Sequence, residues 1–189
     1  MMKLQQLEED VKGFNTINYP RVTRGKKSYI QTEARCKEEI GRYIALYHSL
    51  KAVDQDARLI RDGIDFWLRR YHKYAIEGNI VSHYRQVGVT TQLCDFEHVI
   101  PQSIIRDMLI GGVLTVNQAM NPPTCALSKK NHILLRQSGL TKRTPSAWHF
   151  FDRYTKIFEA DFETFNGQPI SNLHDWTLAE HYKFFSVKP

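Results

Sequence analysis

The stretch of sequence that decides the fold covers residues 92–136 and reads QLCDFEHVIPQSIIRDMLIGGVLTVNQAMNPPTCALSKKNHILLR. It opens with a largely apolar run over residues 92–100, which predicts a β-strand. Successive side chains of a strand point to opposite faces, so we expect Asp95 and Glu97 on one face and His98 on the other. The strand therefore offers carboxylates and an imidazole side by side, which are groups suited to metal binding and proton transfer.

Pro101 bounds this strand, and an irregular strand end would let neighbouring side chains reach one phosphate. Short elements follow it: two helices, a strand and a further helix, over residues 103–109, 115–120, 124–127 and 129–136. Thr115 and Ser128 are the expected N-caps of the second and third of these helices. With Ser128 as the cap, Asn131 and His132 fall in the first helical turn, near the positive end of the helix dipole.

Helical patterns flank this region. Apolar residues recur at helical spacing over residues 33–51, 56–77, 145–160 and 178–185. Gly78-Asn79 is expected to end the second of these helices, which should pack against the first. Residues 11–33 combine glycine, proline and basic residues without a clear period, which indicates an irregular arm or loop. The dense aromatic residues beyond residue 145 are expected mainly in the core.

Basic residues are concentrated after the predicted strand. The formal net charge of +6 favours a polyanionic partner, although total charge alone is weak evidence. Its distribution says more, because no acidic residue occurs between Asp107 and Asp152. Five basic residues fall in that interval: Lys129, Lys130, Arg136, Lys142 and Arg143. They are the candidate residues for contacts with nucleic-acid phosphates.

The remaining features concern the cellular setting. Cys36, Cys94 and Cys125 are widely separated, so neither a disulfide framework nor a cysteine zinc site is indicated. The first ten residues are charged and lack the apolar core of a signal peptide, and no apolar run approaches the roughly 20 residues that span a bilayer. We therefore expect an intracellular, cytoplasmic protein with no membrane partner, with a nucleoid-associated or phage-encoded protein as alternatives.

The segment Asp95-Phe96-Glu97-His98-Val99-Ile100-Pro101-Gln102-Ser103 resembles the first signature of the HNH nucleases, the His-Me finger or ββα-metal superfamily. In that family an acidic residue and a histidine are followed by two apolar residues and a proline. The similarity extends to the HNH domain of RNA-guided CRISPR nucleases and covers about residues 92–136. We expect an α+β, mostly α-helical fold, with a ββα-metal (HNH) motif embedded between N- and C-terminal helices. It should form a single compact domain over residues 1–189, with helical parts over 1–91 and 137–189.

The resemblance implies roles for the strand residues. His98 corresponds to the general base that activates water, and Glu97 corresponds to a metal ligand. Asp95 is either a further metal residue or an ordinary strand carboxylate. The metal is a divalent ion, with Mg²⁺ expected for oxygen ligands, and with Mn²⁺, Ni²⁺ or Zn²⁺ more competitive if an imidazole coordinates it.

The last site residue of the family lies on the helix after the second strand. Asn131 and His132, which are 33 and 34 residues after His98, both occupy that place. Asn121 has the more compact spacing of 23 residues, but Pro122-Pro123 directly behind it would disrupt a helix. Asn121 is therefore expected to be the middle asparagine of the catalytic motif, which fixes a loop, and it is the fallback ligand.

The function implied by the resemblance is metal-dependent endonuclease activity on DNA, with RNA open as an alternative substrate. A non-catalytic nucleic-acid-binding or regulatory protein that retains the HNH fold is the main alternative. A toxin-type nuclease with a dedicated acidic inhibitor is a third. The sequence indicates no oligomeric state. The remaining histidines near the C-terminus, His149, His174 and His181, are expected to be structural or exposed.

Overall fold

A computed structural model of the chain describes residues 26–72, 82–89 and 93–187, with side chains described from residue 33 onward. The chain divides into two compact units, one ending at Trp67 and the other beginning at Leu68. Among the described residues, no helix combines the length and the apolar character needed to cross a membrane. The single compact domain expected from the sequence stays a prediction.

The first unit is helical. Helix α1 covers Lys26–Ala52, and helix α2 covers Arg58–Tyr71 and so continues into the second unit. The two helices approach closely at Gly63, where a Cβ atom would lie only 2.0 Å from the ring of Tyr43. Glycine permits this approach because it has no side chain. The expected packing of the two helices is confirmed at this contact.

The helix boundaries in this unit differ from the predicted ones. Because α1 begins at Lys26, the interpretation of residues 11–33 as an irregular loop is wrong for residues 26–33. No glycine or proline occurs within residues 26–33, so nothing there interrupts the helix. The rest of that segment lies outside the described residues, as does the predicted helix end at Gly78-Asn79.

The second unit combines helices with a small sheet, so the fold class is α+β, as expected. Its elements are β1 (Tyr84–Gln86), β2 (Cys94–His98), α3 (Gln102–Ile110), α4 (Val116–Met120), β3 (Thr124–Ser128), α5 (Lys129–Gln137), a 3₁₀ helix (Leu140–Lys142), α6 (Asp152–Thr155), β4 (Phe162–Thr164) and α7 (Leu178–Phe184). The strand order is β2-β3-β1-β4. β2 and β3 are antiparallel, β1 and β3 are parallel, and β1 and β4 are antiparallel.

The order of elements predicted around residues 92–136 is confirmed: β2, the α3–α4 insertion, β3 and α5 follow one another. Thr115 caps α4 in a capping box, in which its side chain accepts a hydrogen bond from the Gln118 backbone and the Gln118 side chain accepts one from Thr115. The Ser128 hydroxyl caps α5 by accepting a hydrogen bond from Asn131 N at 3.3 Å. Local cap chemistry therefore fixes where both helices begin.

The predicted helix over residues 145–160 is wrong for most of its length, because only α6 is helical there. Ser146 Oγ accepts a hydrogen bond from His149 N at 2.9 Å, and Thr144 Oγ1 donates one to Ser146 O at 2.7 Å. Such local side-chain bonds offer the backbone an alternative to a helix. The predicted terminal helix is confirmed as α7, which Thr177 caps.

Aromatic side chains form the core of the second unit. Tyr84, Phe150, Phe151, Tyr154 and Phe162 are all at most 2% exposed. The ring centroids of Tyr84 and Phe151 lie 5.2 Å apart, and those of Tyr154 and Phe162 lie 5.5 Å apart. The core role expected for most aromatic residues beyond residue 145 is confirmed for Phe150, Phe151, Tyr154 and Phe162, whereas Trp148 and Phe165 are exposed. The buried rings hold β1 and β4 beside β3, which in turn pairs with β2.

Candidate functional site

The two faces of β2 carry different groups, as strand alternation predicts. In the antiparallel register Glu97 lies opposite Cys125 and His98 lies opposite Thr124. Glu97 contacts His132 of α5, whereas His98 contacts His72, which directly follows α2. The expected separation of the carboxylates from the histidine is therefore confirmed.

An acidic cluster forms on the α5 side of the sheet. His132 Nδ1 lies 2.8 Å from Asp95 Oδ2, and His132 Nε2 lies 3.3 Å from Glu97 Oε2. Both carboxylates come from β2, and the imidazole comes from the first turn of α5. The pairing of β2 with β3, which leads directly into α5, explains why residues 35 or more positions apart in the sequence meet here.

Arg153 forms an ion pair with the acidic cluster. Its side chain is completely buried, and its Nη2 lies 2.8 Å from Glu97 Oε1. Burial raises the pKa of Glu97, while the neighbouring Arg153 and His132 oppose this shift. Glu97 therefore lies between a buried guanidinium and the imidazole of His132.

His98 lies in a separate environment on the opposite face. His98 Nε2 is 2.9 Å from His72 Nδ1, and the ring centroids are 4.8 Å apart. Burial lowers the pKa of His98 to about 4, and the positive charges of Arg153 and Arg69 act in the same direction. The ring is therefore neutral near pH 7 and has a lone pair available for a proton.

The two candidate asparagines do not contact the acidic cluster in the structure. Asn131 is 7% exposed, and its Nδ2 donates a hydrogen bond to Gln86 Oε1 at 3.1 Å. Asn121 is the C-cap of α4, and its Nδ2 donates to Asn117 O at 2.9 Å. The backbone carbonyl of Asn121 also lies 3.1 Å from His181 Nε2. The contacts of Asn121 hold the loop that leads into β3.

The five candidate phosphate-binding residues are all exposed: Lys129, Lys130, Arg136, Lys142 and Arg143. Lys129, Lys130 and Arg136 lie on α5, and the other two lie at the end of the 3₁₀ helix that packs against α5. No ion pair involves them within the part of the chain that the structure describes. Their charges are thus available to a polyanion. We call this set the basic surface.

Three residues of the site gave no clear sequence signal: Arg153, His72 and Gln86. Arg153 is a single basic residue among the buried aromatic residues Phe150, Phe151 and Tyr154, which is the only signal it gave. His72 follows Leu68 by four positions and so continues the apolar stripe of α2, where a histidine indicates burial. Gln86 carried no signal, because β1 is too short for a strand pattern.

The histidines near the C-terminus behave as expected. His181 is completely buried, and His181 Nδ1 lies 2.7 Å from the Tyr84 hydroxyl. The His174 side chain is 69% exposed and lies 3.0 Å from Asp152 Oδ1. The His149 ring stacks on it, with a centroid distance of 4.8 Å. None of the three contacts the acidic cluster in the described structure.

Metal-binding capacity depends on how the donor atoms converge. In the described part of the chain, no group of three or more histidine, cysteine, aspartate or glutamate side chains is arranged to hold a metal ion. The two ring nitrogens of His132 face Asp95 and Glu97 separately rather than sharing one point with them. The donor types are nevertheless ones that bind divalent cations, since each of the two carboxylates contacts the imidazole of His132.

Comparison of the chain with protein-family models, with curated proteins and with solved structures found no match.

Proposed function

We propose that this chain is a metal-dependent endonuclease of the HNH type that hydrolyses phosphodiester bonds in DNA. One observation carries the proposal: neighbouring residues of β2 supply an acid and a histidine, and the acid meets the helix that follows the paired strand. Glu97 contacts His132 of α5, and His98 ends the strand on the other face. This is the order and pairing that the sequence resemblance calls for.

His132 is the better candidate than Asn131 for the helical metal ligand. Its ring contacts both Asp95 and Glu97, whereas the amide of Asn131 is engaged with Gln86. When bound, a divalent metal would stabilise charge on the phosphate and on the departing 3′ oxygen. Glu97, Asp95 and His132 are the residues that would hold it.

His98 supplies the base. Its neutral ring accepts a proton from a water molecule as the water oxygen attacks phosphorus and the P–O3′ bond breaks. The 3′ oxygen then takes a proton from solvent, and the proton on His98 returns to solvent. A phosphate served by both faces of β2 would lie at its carboxyl end, where His98 is the last strand residue.

The basic surface supports a nucleic-acid substrate. Three of its five residues lie on the same helix as His132, so a phosphate backbone that follows α5 would pass the acidic cluster. Contacts with phosphates carry no sequence information, so this surface fits cleavage of DNA without a sequence preference. The same surface would also serve a protein that binds nucleic acid without cleaving it.

Nicking of supercoiled plasmid in Mg²⁺ or Mn²⁺ tests the proposal. The wild-type protein should convert the plasmid to open circles, and a chelator should stop the reaction. His98→Ala should lose about 10²- to 10⁴-fold in rate, the usual contribution of a general base. His174→Ala removes an exposed histidine and should leave the rate unchanged. Tight, salt-sensitive binding without cleavage under any divalent ion would contradict the proposal and favour the non-catalytic alternative.

A further inference from the structure

His98 is held by a second histidine from a distant part of the sequence. His98 Nε2 lies 2.9 Å from His72 Nδ1, with the two rings inclined at 43°. His72 is 2% exposed and directly follows α2. Its other ring nitrogen, Nε2, lies 3.2 Å from the backbone carbonyl oxygen of Ala119 on α4. The three groups form a chain of hydrogen bonds that ends at His98.

The direction of these hydrogen bonds follows from the last acceptor. A backbone carbonyl can only accept, so His72 Nε2 must carry the proton that it shares with Ala119. Burial, together with the neighbouring His98, keeps the pKa of His72 well below its ordinary value. His72 is therefore neutral near pH 7, and its Nδ1 has a lone pair. That lone pair can only accept, so His98 Nε2 must be the donor.

A neutral His98 that is protonated at Nε2 has its lone pair on Nδ1. Among the described residues, His98 Nδ1 has no hydrogen-bond partner. We propose that His72 is a positioning residue, which fixes the ring orientation and the tautomer of His98 so that Nδ1 is the atom that receives the proton of water. The role of His98 as the base rests on the proposed function, whereas the tautomer does not.

The hydrogen bond between His98 and His72 also stabilises His98 after it has accepted a proton. When His98 Nδ1 takes the proton, the ring becomes an imidazolium whose Nε2–H still points at the neutral Nδ1 of His72. No bond has to be remade, and the ring does not turn. A carboxylate in the place of His72 would hold the proton more strongly, whereas a neutral imidazole leaves His98 a base that releases it readily.

Long-range ¹H–¹⁵N spectra of ¹⁵N-histidine-labelled protein, recorded near pH 7.5 without metal or nucleic acid, test the tautomer directly. In the wild-type protein, His98 should show the pattern of an Nε2-protonated ring, and so should His72. In His72→Asn the amide oxygen can replace Nδ1 as the acceptor, and the His98 pattern should persist. In His72→Leu the acceptor is lost, and His98 should show a mixture of both tautomers.

Plasmid nicking by the same variants gives the functional readout. His72→Leu should lower the turnover rate by about 10-fold, equivalent to one neutral hydrogen bond, with little change in KM. His72→Asn should restore most of the rate. An Nδ1-protonated His98 in the wild-type spectrum would overturn the inference without any variant, and so would an unchanged His98 tautomer in a folded His72→Leu protein. A failed nuclease assay with the expected spectra would overturn only the proposed function.

Discussion

The guanidinium of Arg153 lies 2.8 Å from Glu97 Oε1, although no part of the Arg153 side chain is exposed. The same group donates hydrogen bonds to the carbonyl oxygens of His98 and Val99 at 2.6 and 2.8 Å. It also donates to the carbonyls of Leu140 and Thr141 at 2.9 and 3.1 Å. One buried cation therefore ties the end of β2 to the segment after α5, on which part of the basic surface lies.

Arg153→Lys should therefore destabilise the protein strongly. A lysine has one ammonium group, which cannot reach Glu97 and four carbonyls together, so buried polar groups would lose their partners. The free energy of unfolding should fall by about 3 to 5 kcal/mol, the range for a broken buried ion pair. Urea unfolding followed by circular dichroism measures it. Arg143→Lys, an exposed control, should change stability by less than about 0.5 kcal/mol, and an equal change in both variants would contradict the role of Arg153.

Sequence reasoning reached the parts of the site whose signals are local. The alternation of β2 placed Asp95 and Glu97 together, and the Ser128 cap placed His132 in the first turn of α5. Arg153 and His72 were not predicted as site residues, because their roles depend on which distant segments of the chain meet. A buried arginine among aromatic residues and a histidine on an apolar helical face each indicate burial, but they do not indicate a partner.

The same contrast applies to the fold. The expected N-caps Thr115 and Ser128 predicted the starts of α4 and α5 well, since each signal acts within a few residues. Strands β1 and β4 have three residues each, which is too short to show alternation. They exist because β3 and the aromatic core hold Tyr84 and Phe162 in place. Their stability comes from tertiary contacts rather than from local preference.

The two helical glycines of the first unit should respond in opposite directions to alanine. At Gly63 a Cβ would stand 2.0 Å from the Tyr43 ring, so the helices would have to separate or the ring would have to move. Gly63→Ala should destabilise the protein by about 1 to 3 kcal/mol, as overpacking does. A Cβ at Gly41 meets nothing within 4 Å, so Gly41→Ala should stabilise α1 by about 0.5 to 1 kcal/mol. Thermal unfolding of both variants provides the comparison, and a stabilised Gly63→Ala protein would show that this contact is absent.

Metal binding should depend on His132 more than on Asn131. His132→Ala should weaken Mn²⁺ binding by at least about 10-fold, and it should weaken Mg²⁺ binding less, because imidazole favours the softer ion. Titration calorimetry of the free protein measures both affinities without substrate. His174→Ala should leave both unchanged. If Asn131→Ala abolishes binding while His132→Ala preserves it, the helical ligand is Asn131.

The salt dependence of nucleic-acid binding should decrease when lysines of the basic surface are replaced by alanine. Each phosphate contact on duplex DNA contributes about 0.9 to the slope of log affinity against log salt concentration, so Lys129→Ala/Lys130→Ala should reduce that slope by about 1.8. Fluorescence anisotropy of a labelled duplex between low and moderate salt gives the slope. Lys156→Ala/Lys183→Ala removes the same charge from exposed positions outside α5 and should reduce it much less. Equal reductions would show that only total charge matters.

Stability should fall in mild acid because of buried histidines. Burial, with a smaller contribution from His98, lowers the pKa of His83 to about 4, whereas an unfolded histidine titrates near 6.5. Between these values the unfolded state binds a proton that folded His83 does not. The stability that neutral His83 contributes is therefore complete above about pH 6.5, and it is lost as pH falls toward 4.

His83→Gln isolates this contribution. Its amide can still bond to Thr124 Oγ1, which lies 2.8 Å from His83 Nδ1, but it cannot titrate. Over pH 4.5 to 6 the unfolding free energy of the variant should fall less steeply than that of the wild type, by up to about 1.4 kcal/mol per pH unit for one proton. His181, whose ring centroid lies 4.8 Å from that of His83, is also neutral and buried, so the variant should keep part of the acid sensitivity. Urea midpoints at four pH values measure the slopes, and parallel slopes for the two proteins would show that His83 is protonated equally in the folded and unfolded states.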